Sequence, residues 1–521
     1  MIASFFYGTE NLTVQTALSL AAGRFRGVFD DTTTRRILQS QEDVQAIVRE
    51  GRTVYGINTG FGILADTAIN EADTRLLQHK ILQSHSVGVG QPIPTEIAKL
   101  MLITKVQALV QGYSGVQRST LERILWHIDN DVIPVVPEKG SVGASGDLAP
   151  LAHLCLPLIG LGEVFYKGTR RPSAEVLQEF GLEPITLGPK EGLALINGTQ
   201  FILAFALKAV ERMHYCLEAA DIIGAMSLEA LTGTSAPFDA RLHQLRPYKG
   251  NRLVAQRLRN LLDGSEIMKS HADCGRVQDP YSLRCMPQVH GASRNAWLHL
   301  KELTTIEANS VTDNPIVLGK DDTISGGNFH GQPLALPLDY ACFAAAEVGN
   351  ISDRRCYLLL EGKWGLPLLL MNNVGLNSGF MIPQYTTAAL VTENKTLCFP
   401  ASADSIPTSL GQEDHVSMVS ISGRKLNQVL DNLEQILAIE LLSACQAIEF
   451  RRPHKSSALL EHAHDYVRRF VGFAEEDRIF ADDIRSMKAI IEDYSFVQTV
   501  NQFAGERGLT LNREFEEFGL D

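Results

Sequence analysis

Residues 424–450 contain neither proline nor glycine, and Leu426, Val429, Leu430, Leu433, Ile436, Leu437 and Ile439 recur through them with a helical period. A helix of that length spans roughly 40 Å at 1.5 Å per residue, longer than most domains need, and its apolar stripe demands partners of similar length. The sequence supplies them. Residues 200–231 lack proline and carry Phe201, Leu203, Phe205, Val210, Ile222, Ile223 and Met226 with little charge, the mark of a helix buried on most sides. Residues 338–360 also lack proline and are interrupted only by Gly349. The expected fold is therefore mainly α, a long antiparallel helical bundle at 199–521 following a loop-rich N-terminal region at 1–198, the two forming one continuous unit. Within the N-terminal region, Ser119-Thr120-Leu121-Glu122 has capping-box spacing before an amphipathic run of Leu121, Ile124, Leu125 and Ile128, which Pro134 and Pro137 stop.

Composition narrows the function classes. The 521 residues are 45% hydrophobic and 21% charged, within the soluble globular range. Against 47 basic residues stand 60 acidic ones, a net charge of −13 that argues against a nucleic-acid surface. The start, "MIASFFYGTENLTVQ", lacks the pattern of a secretory signal, and no apolar run is long enough to span a membrane, so a cytoplasmic protein is expected. Eight cysteines form no CxxC pair and are expected to be reduced, buried thiols. HExxH is absent, and His462 and His464 in "EHAHDY" are read as solvated residues on a surface helix, so no metal site is expected.

Function is sought on the loops that interrupt the helices. One of them, "GSVGASGDLAP" at 140–150, is too rich in glycine and small residues to pack a core or hold a helix. It is not a nucleophile elbow, because Gly146 stands one place too early after Ser145. Nor is it a phosphate loop, since Gly140, Gly143 and Gly146 have neither the spacing nor the lysine. Its tripeptide Ala144-Ser145-Gly146 has another capacity. If the chain bends so that the Gly146 nitrogen reaches the Ala144 carbonyl, a ring closes with loss of water, and a second water lost from Ser145 leaves an exocyclic methylidene. Glycine permits the bend because it has no Cβ. The product is an electrophile made from the backbone, with no metal or nucleotide.

That segment resembles the prosthetic-group loop of the aromatic amino acid ammonia-lyases, in which Ala-Ser-Gly becomes 4-methylidene-imidazol-5-one (MIO). Further segments resemble the family in its order: "VYGINTGFG" (54–62), "EGLALINGTQ", "VQDPYSLRC", "TDNPIV", "ISGGNFH" and "EDHVSM". The resemblance implies the fold of the ammonia-lyase and L-aspartase-like superfamily and a homotetramer whose active sites each draw loops from three subunits. Within the family the likeness is to the histidine-specific lyases, which convert L-histidine to trans-urocanate and ammonia; a tyrosine or phenylalanine lyase or an aminomutase on the same scaffold is the alternative. Ser84-His85, Met381 and above all Glu413 favour histidine, because a carboxylate can accept an imidazole N–H but offers a phenyl ring nothing.

The resemblance also implies roles. Ala144, Ser145 and Gly146 form the MIO. Tyr55 is the base, and since a phenol ordinarily titrates at ~10, its anion needs support from its surroundings. Arg284 grips the substrate carboxylate with its planar fork, with Gln278 nearby. Asn197 and Tyr281 lie near the MIO and the amine, Phe329 packs beside the prosthetic group, and His85, Met381 and Glu413 line the side-chain pocket. Asp147 and Asn314 support loop geometry or ring closure. Departures from the histidine-specific pattern are Ser86, the pair Pro383 and Tyr385 beside Met381, and a C-terminal tail after about residue 505.

Overall fold

The computed structural model describes residues 3–60, 69, 71–509, 511 and 515–521. Phe61 and Gly62, the end of "VYGINTGFG", lie outside them. Five helices carry the architecture: Gln200–Ala230, Met286–Ala308, Gln332–Leu360, Met381–Leu397 and Val419–Glu449. Their direction can be followed through cross-contacts. Arg212 and Ser227 on the first helix meet Glu434 and Glu440 on the last in ascending order, so these two run parallel. Asp339 and Ser352 meet Ser422 and Glu440 likewise. Val210 and Asp221 instead meet Trp297 and His290, in descending order. Consecutive members thus alternate in direction while the three longest point the same way.

The Gln200–Ala230 and Val419–Glu449 helices are buried along almost their whole length because nearly every turn offers alanine, leucine or isoleucine to a neighbour. Where polar residues enter this core they are paired. The Arg355 guanidinium meets the Glu440 carboxylate through two bonds, Nε to Oε1 at 2.5 Å and Nη2 to Oε2 at 2.9 Å, both side chains being fully buried. Ser227 and Ser352 hydroxyls donate to the same carboxylate. A fork-to-fork pair with its remaining lone pairs satisfied is the form in which a buried ion pair is tolerated.

The N-terminal region is built from shorter helices, Glu71–His85, Thr95–Leu109, Arg118–Asp129 and Leu148–Cys155, with small sheets between them. In one, Val89–Pro92 pairs antiparallel with Pro137–Lys139, bringing His85 and the 140–146 loop side by side. His153 fastens the same junction by accepting the Gly88 N–H at 3.0 Å. No described helix is long and apolar enough to cross a membrane.

Several expectations are corrected. The Arg118–Asp129 helix has Gln117 at its N-cap, so Ser119 lies inside its first turn and no capping box forms. Glu191 replaces it, accepting the Gln117 N–H at 2.7 Å and the Thr120 hydroxyl at 2.8 Å. The helix expected from 338 begins at Gln332 and contains Pro337 in its second turn, where the ring removes one backbone donor that the helix would otherwise use. His464 is buried 3.1 Å from Glu449, and His462 stacks on Phe503 with ring centroids 4.1 Å apart, so neither is simply solvated. Of the cysteines, Cys274 is exposed and Cys285 and Cys398 are half-buried; the other five are buried as expected.

This core can be tested at two carboxylates. Glu440→Ala strands a buried guanidinium and should cost about 3–5 kcal/mol, read as a lowered denaturant midpoint. Glu229, at the end of its helix, has its carboxyl pushed up to about 7 by burial, from an ordinary 4.5. The folded chain therefore holds a proton between those values that the unfolded chain has released, so this group's contribution is full below pH 4.5 and declines as pH rises to about 7. Glu229→Gln should flatten that part of a stability-versus-pH curve.

Candidate active site

The loop at 140–147 turns so tightly because four of its residues have positive φ: Gly140 at +132°, Gly143 at +82°, Ser145 at +52° and Gly146 at +81°. Serine rarely adopts this conformation, and such strain persists only where surrounding structure enforces it. The enforcement is visible. Gly146 lies against Gly198, whose carbonyl accepts the Asp147 N–H at 2.8 Å. A Cβ on Gly146 would stand 2.1 Å from that carbonyl oxygen, and one on Gly143 would stand 2.2 Å from Ser417 Oγ, so neither position admits another residue. Behind the loop, Asp147 accepts the Ser141 hydroxyl and the Ile202 N–H, both at 3.0 Å, and burial pushes its carboxyl up to about 7. The structural role expected of Asp147 is thus present.

Three helices begin at this loop. Leu148–Cys155 follows it directly, Gln200–Ala230 starts beside Gly198, and Val419–Glu449 is joined to it where Met418 N–H donates to Val142 O at 3.0 Å and the Ser420 hydroxyl to Ser141 O at 2.7 Å. Their N-terminal ends carry partial positive charge, a setting that favours electron density arriving at Ser145. A bend at Ala144-Ser145-Gly146, the absence of any room for a Cβ and this field together fit the ring expected from the tripeptide.

Ser145 opens onto a cavity of about 410 Å³, a size suited to a small metabolite. Tyr55, His85, Asn197 and Glu413 line it as well, gathering five of the expected site residues from separate segments of the chain. His85 ends the Glu71–His85 helix with its Nδ1 3.0 Å from Ser84 Oγ. Burial lowers its pKa, opposed by the Ile81 carbonyl and the charge of Glu413. Glu413 Oε2 accepts the Thr408 hydroxyl at 2.7 Å. The wall that sequence reading missed is Leu77, Lys80 and Ile81, which with Ser84 form one face of the Glu71–His85 helix. Their spacing of three, four and seven residues is the signal that could have found them.

The remaining expected residues are not on this cavity. Gln278 and Tyr281 are exposed, Tyr281 by 70%, and Arg284 sits over the Tyr281 ring at 4.5 Å while its Nε donates to Asp279 O at 3.0 Å. Phe329 and Met381 are half-buried elsewhere. Asn314 ties loops together, its side-chain oxygen accepting the Gly326 N–H at 2.8 Å.

Gly146→Ala should leave the helical circular dichroism intact yet reduce turnover by about 10²-fold or more, since the added methyl must displace the loop.

The chain is similar to known proteins over most of its length. The aromatic amino acid lyase family model matches residues 12–469. Histidine ammonia-lyase of Desulfotalea psychrophila is 47% identical over 469 residues, 90% of this chain and 92% of that protein. Histidine ammonia-lyase of Sorangium cellulosum is 49% identical, covering 90% and 94%. Among solved structures, histidine ammonia-lyase from Trypanosoma cruzi superposes with a TM-score of 0.90 at 40% identity, covering 99% of this chain and 97% of that one. Tyrosine aminomutase from Streptomyces globisporus does so with a TM-score of 0.91 at 33% identity, covering 96% and 99%. With the family model matching residues 12–469 and relatives 47% identical over most of its length, the chain belongs to the aromatic amino acid lyase family.

Proposed function

We propose that this protein removes ammonia from L-histidine, leaving trans-urocanate. The observation that carries the reading is the presence of Glu413 and His85 on the same cavity as Ser145 and Tyr55. Glu413 Oε1 can accept an imidazole N–H at one end of the substrate while the reacting carbons lie toward Ser145. A phenyl ring there would leave a carboxylate desolvated and unpaired, which is how such a pocket rejects it. The family relatives named histidine ammonia-lyase support the same choice.

The reaction breaks the Cβ–H and Cα–N bonds and forms a carbon–carbon double bond; the proton and the amine leave separately. Ala144, Ser145 and Gly146 would form the MIO, which would supply an electrophile to ease departure of the amine. In this reading Tyr55, which lines the same cavity, takes the Cβ proton. The three helix N-termini around the loop favour the negative charge that develops there. Glu413 and His85 orient the ring, and Leu77, Ile81, Leu193 and Ile196 exclude water from its apolar edges.

A homotetramer completes the site in this reading. Tyr281, Arg284, Gln278, Phe329 and Met381 lie off the cavity of their own chain and are assigned to the cavities of neighbouring copies, where Arg284 grips the carboxylate. Exposed Tyr340, Phe343 and Tyr357 on the Gln332–Leu360 helix, with Ile382 and Tyr385 on Met381–Leu397, support a large helix-on-helix contact.

Purified protein should convert L-histidine to a conjugated acid absorbing in the ultraviolet and leave L-tyrosine and L-phenylalanine untouched; product from either of those alone would overturn the substrate assignment. Tyr55→Phe should lower kcat by about 10²–10⁴-fold. Glu413→Gln, which keeps the shape but loses the charge, should raise KM for histidine by about tenfold.

A further inference from the structure

Asn197 is 2% exposed, caps the end of the Glu191–Ile196 helix and lines the cavity with Ser145. Its side-chain nitrogen is fully engaged: Nδ2 donates to Asn314 O at 2.8 Å and to Asp313 Oδ1 at 3.3 Å. Its side-chain oxygen has no partner. The opposite orientation of the amide would set that oxygen against a carbonyl and a carboxylate, so the neighbours fix which atom is left over. An unpaired acceptor nine-tenths buried at a ligand cavity is rare and wants a donor.

Asp313, which imposes this orientation, is itself held. Its Oδ1 accepts the Asn314 N–H at 2.7 Å as well as the Asn197 amide, and its Oδ2 is paired with the ammonium of Lys190. Lys190 is wholly buried, and it adopts left-handed backbone at φ +67°, which an L residue does only under constraint. Beneath the same segment, the buried Lys105 ammonium donates to Ala194 O at 3.0 Å and to Asn197 O. Two buried lysines and one aspartate thus fix a single asparagine, at its backbone and at its amide.

We propose that the Lys190–Asp313 ion pair positions the Asn197 amide so that Oδ1 accepts a hydrogen bond from the α-amino group of the substrate. Lys190 and Asp313 are positioning residues that do not touch substrate. Without Lys190 the Asp313 carboxylate loses the partner that holds its Oδ2 and keeps only the field of Lys105, so its Oδ1 is no longer fixed against the Asn197 amide, which is then free to turn round. The inference rests on the amino-acid lyase reading above but makes a separate demand: the ion pair must matter for the amine and not for the rest of the ligand.

The test compares L-histidine with imidazolepropionate, which keeps the ring and the carboxylate and lacks the amine. In Lys190→Met the KM for L-histidine should rise about 10–100-fold, the loss expected for a hydrogen bond to a charged group, while the inhibition constant of imidazolepropionate stays within about twofold of the parent enzyme's. Lys190→Met combined with Asp313→Asn retains an acceptor oxygen beside Asn197 with no lone buried charge, and should recover most of the loss. If the single variant does not fold, Asn197→Ala, with the ion pair intact, should show the same selective loss of affinity for the aminated ligand. Equal weakening of both ligands, or no weakening of either, overturns the proposal. Absence of turnover in the parent enzyme would instead strike the lyase reading.

Discussion

The close approach of Gly146 to Gly198 is the contact on which the rest of the site depends. It joins the loop that carries Ser145 to the segment that carries Asn197, and it holds Ser145 in a backbone conformation it would not adopt alone. Both partners must be glycine. A Cβ at Gly146 would meet the Gly198 carbonyl oxygen at 2.1 Å, and one at Gly198 would stand 2.6 Å from Thr312 Oγ1. The long helices gain a functional meaning from this contact, since two of the longest begin close to it in space. Their packing fixes their N-termini, and their N-termini fix the loop.

The site combines apolar walls with a polar foundation. Leu77, Ile81, Leu193 and Ile196 shape the cavity, whereas behind it Asp147, Lys105, Lys190 and Asp313 are buried deeply enough for their charges to be strong at short range. Burial lowers the Lys105 pKa to about 8 and raises that of Asp147 to about 7, each opposed by the other's charge. Charges so placed are costly unless paired, and among the described residues these are tied to carbonyls, backbone N–H groups or one another. Such a foundation resists rearrangement while the cavity above it exchanges ligand.

Much of this was legible in the sequence, for identifiable reasons. The helices announced themselves because a long buried helix needs apolar residues at a fixed period, as Leu426 to Ile439 provide. Ala144-Ser145-Gly146 could be recognised because its chemistry is local to three residues. Lys190 and Asp313 could not, because they meet across 123 positions of chain and because a wholly buried lysine contradicts the usual reading of charge as surface. The capping box at Ser119 failed for a related reason: Glu191, distant in sequence, supplied the capping acceptor that local spacing had assigned to the wrong turn.

That the strained turn at Ser145 becomes a ring is the claim from which the chemistry follows. The measurement that tests it most directly is the accurate mass of the proteolytic fragment containing residues 140–150, taken from purified protein and from Ser145→Ala. The parent fragment should be lighter than its encoded mass by two waters, and the mutant fragment, unable to form the methylidene, should not show that loss. A parent fragment at its full encoded mass would contradict the ring.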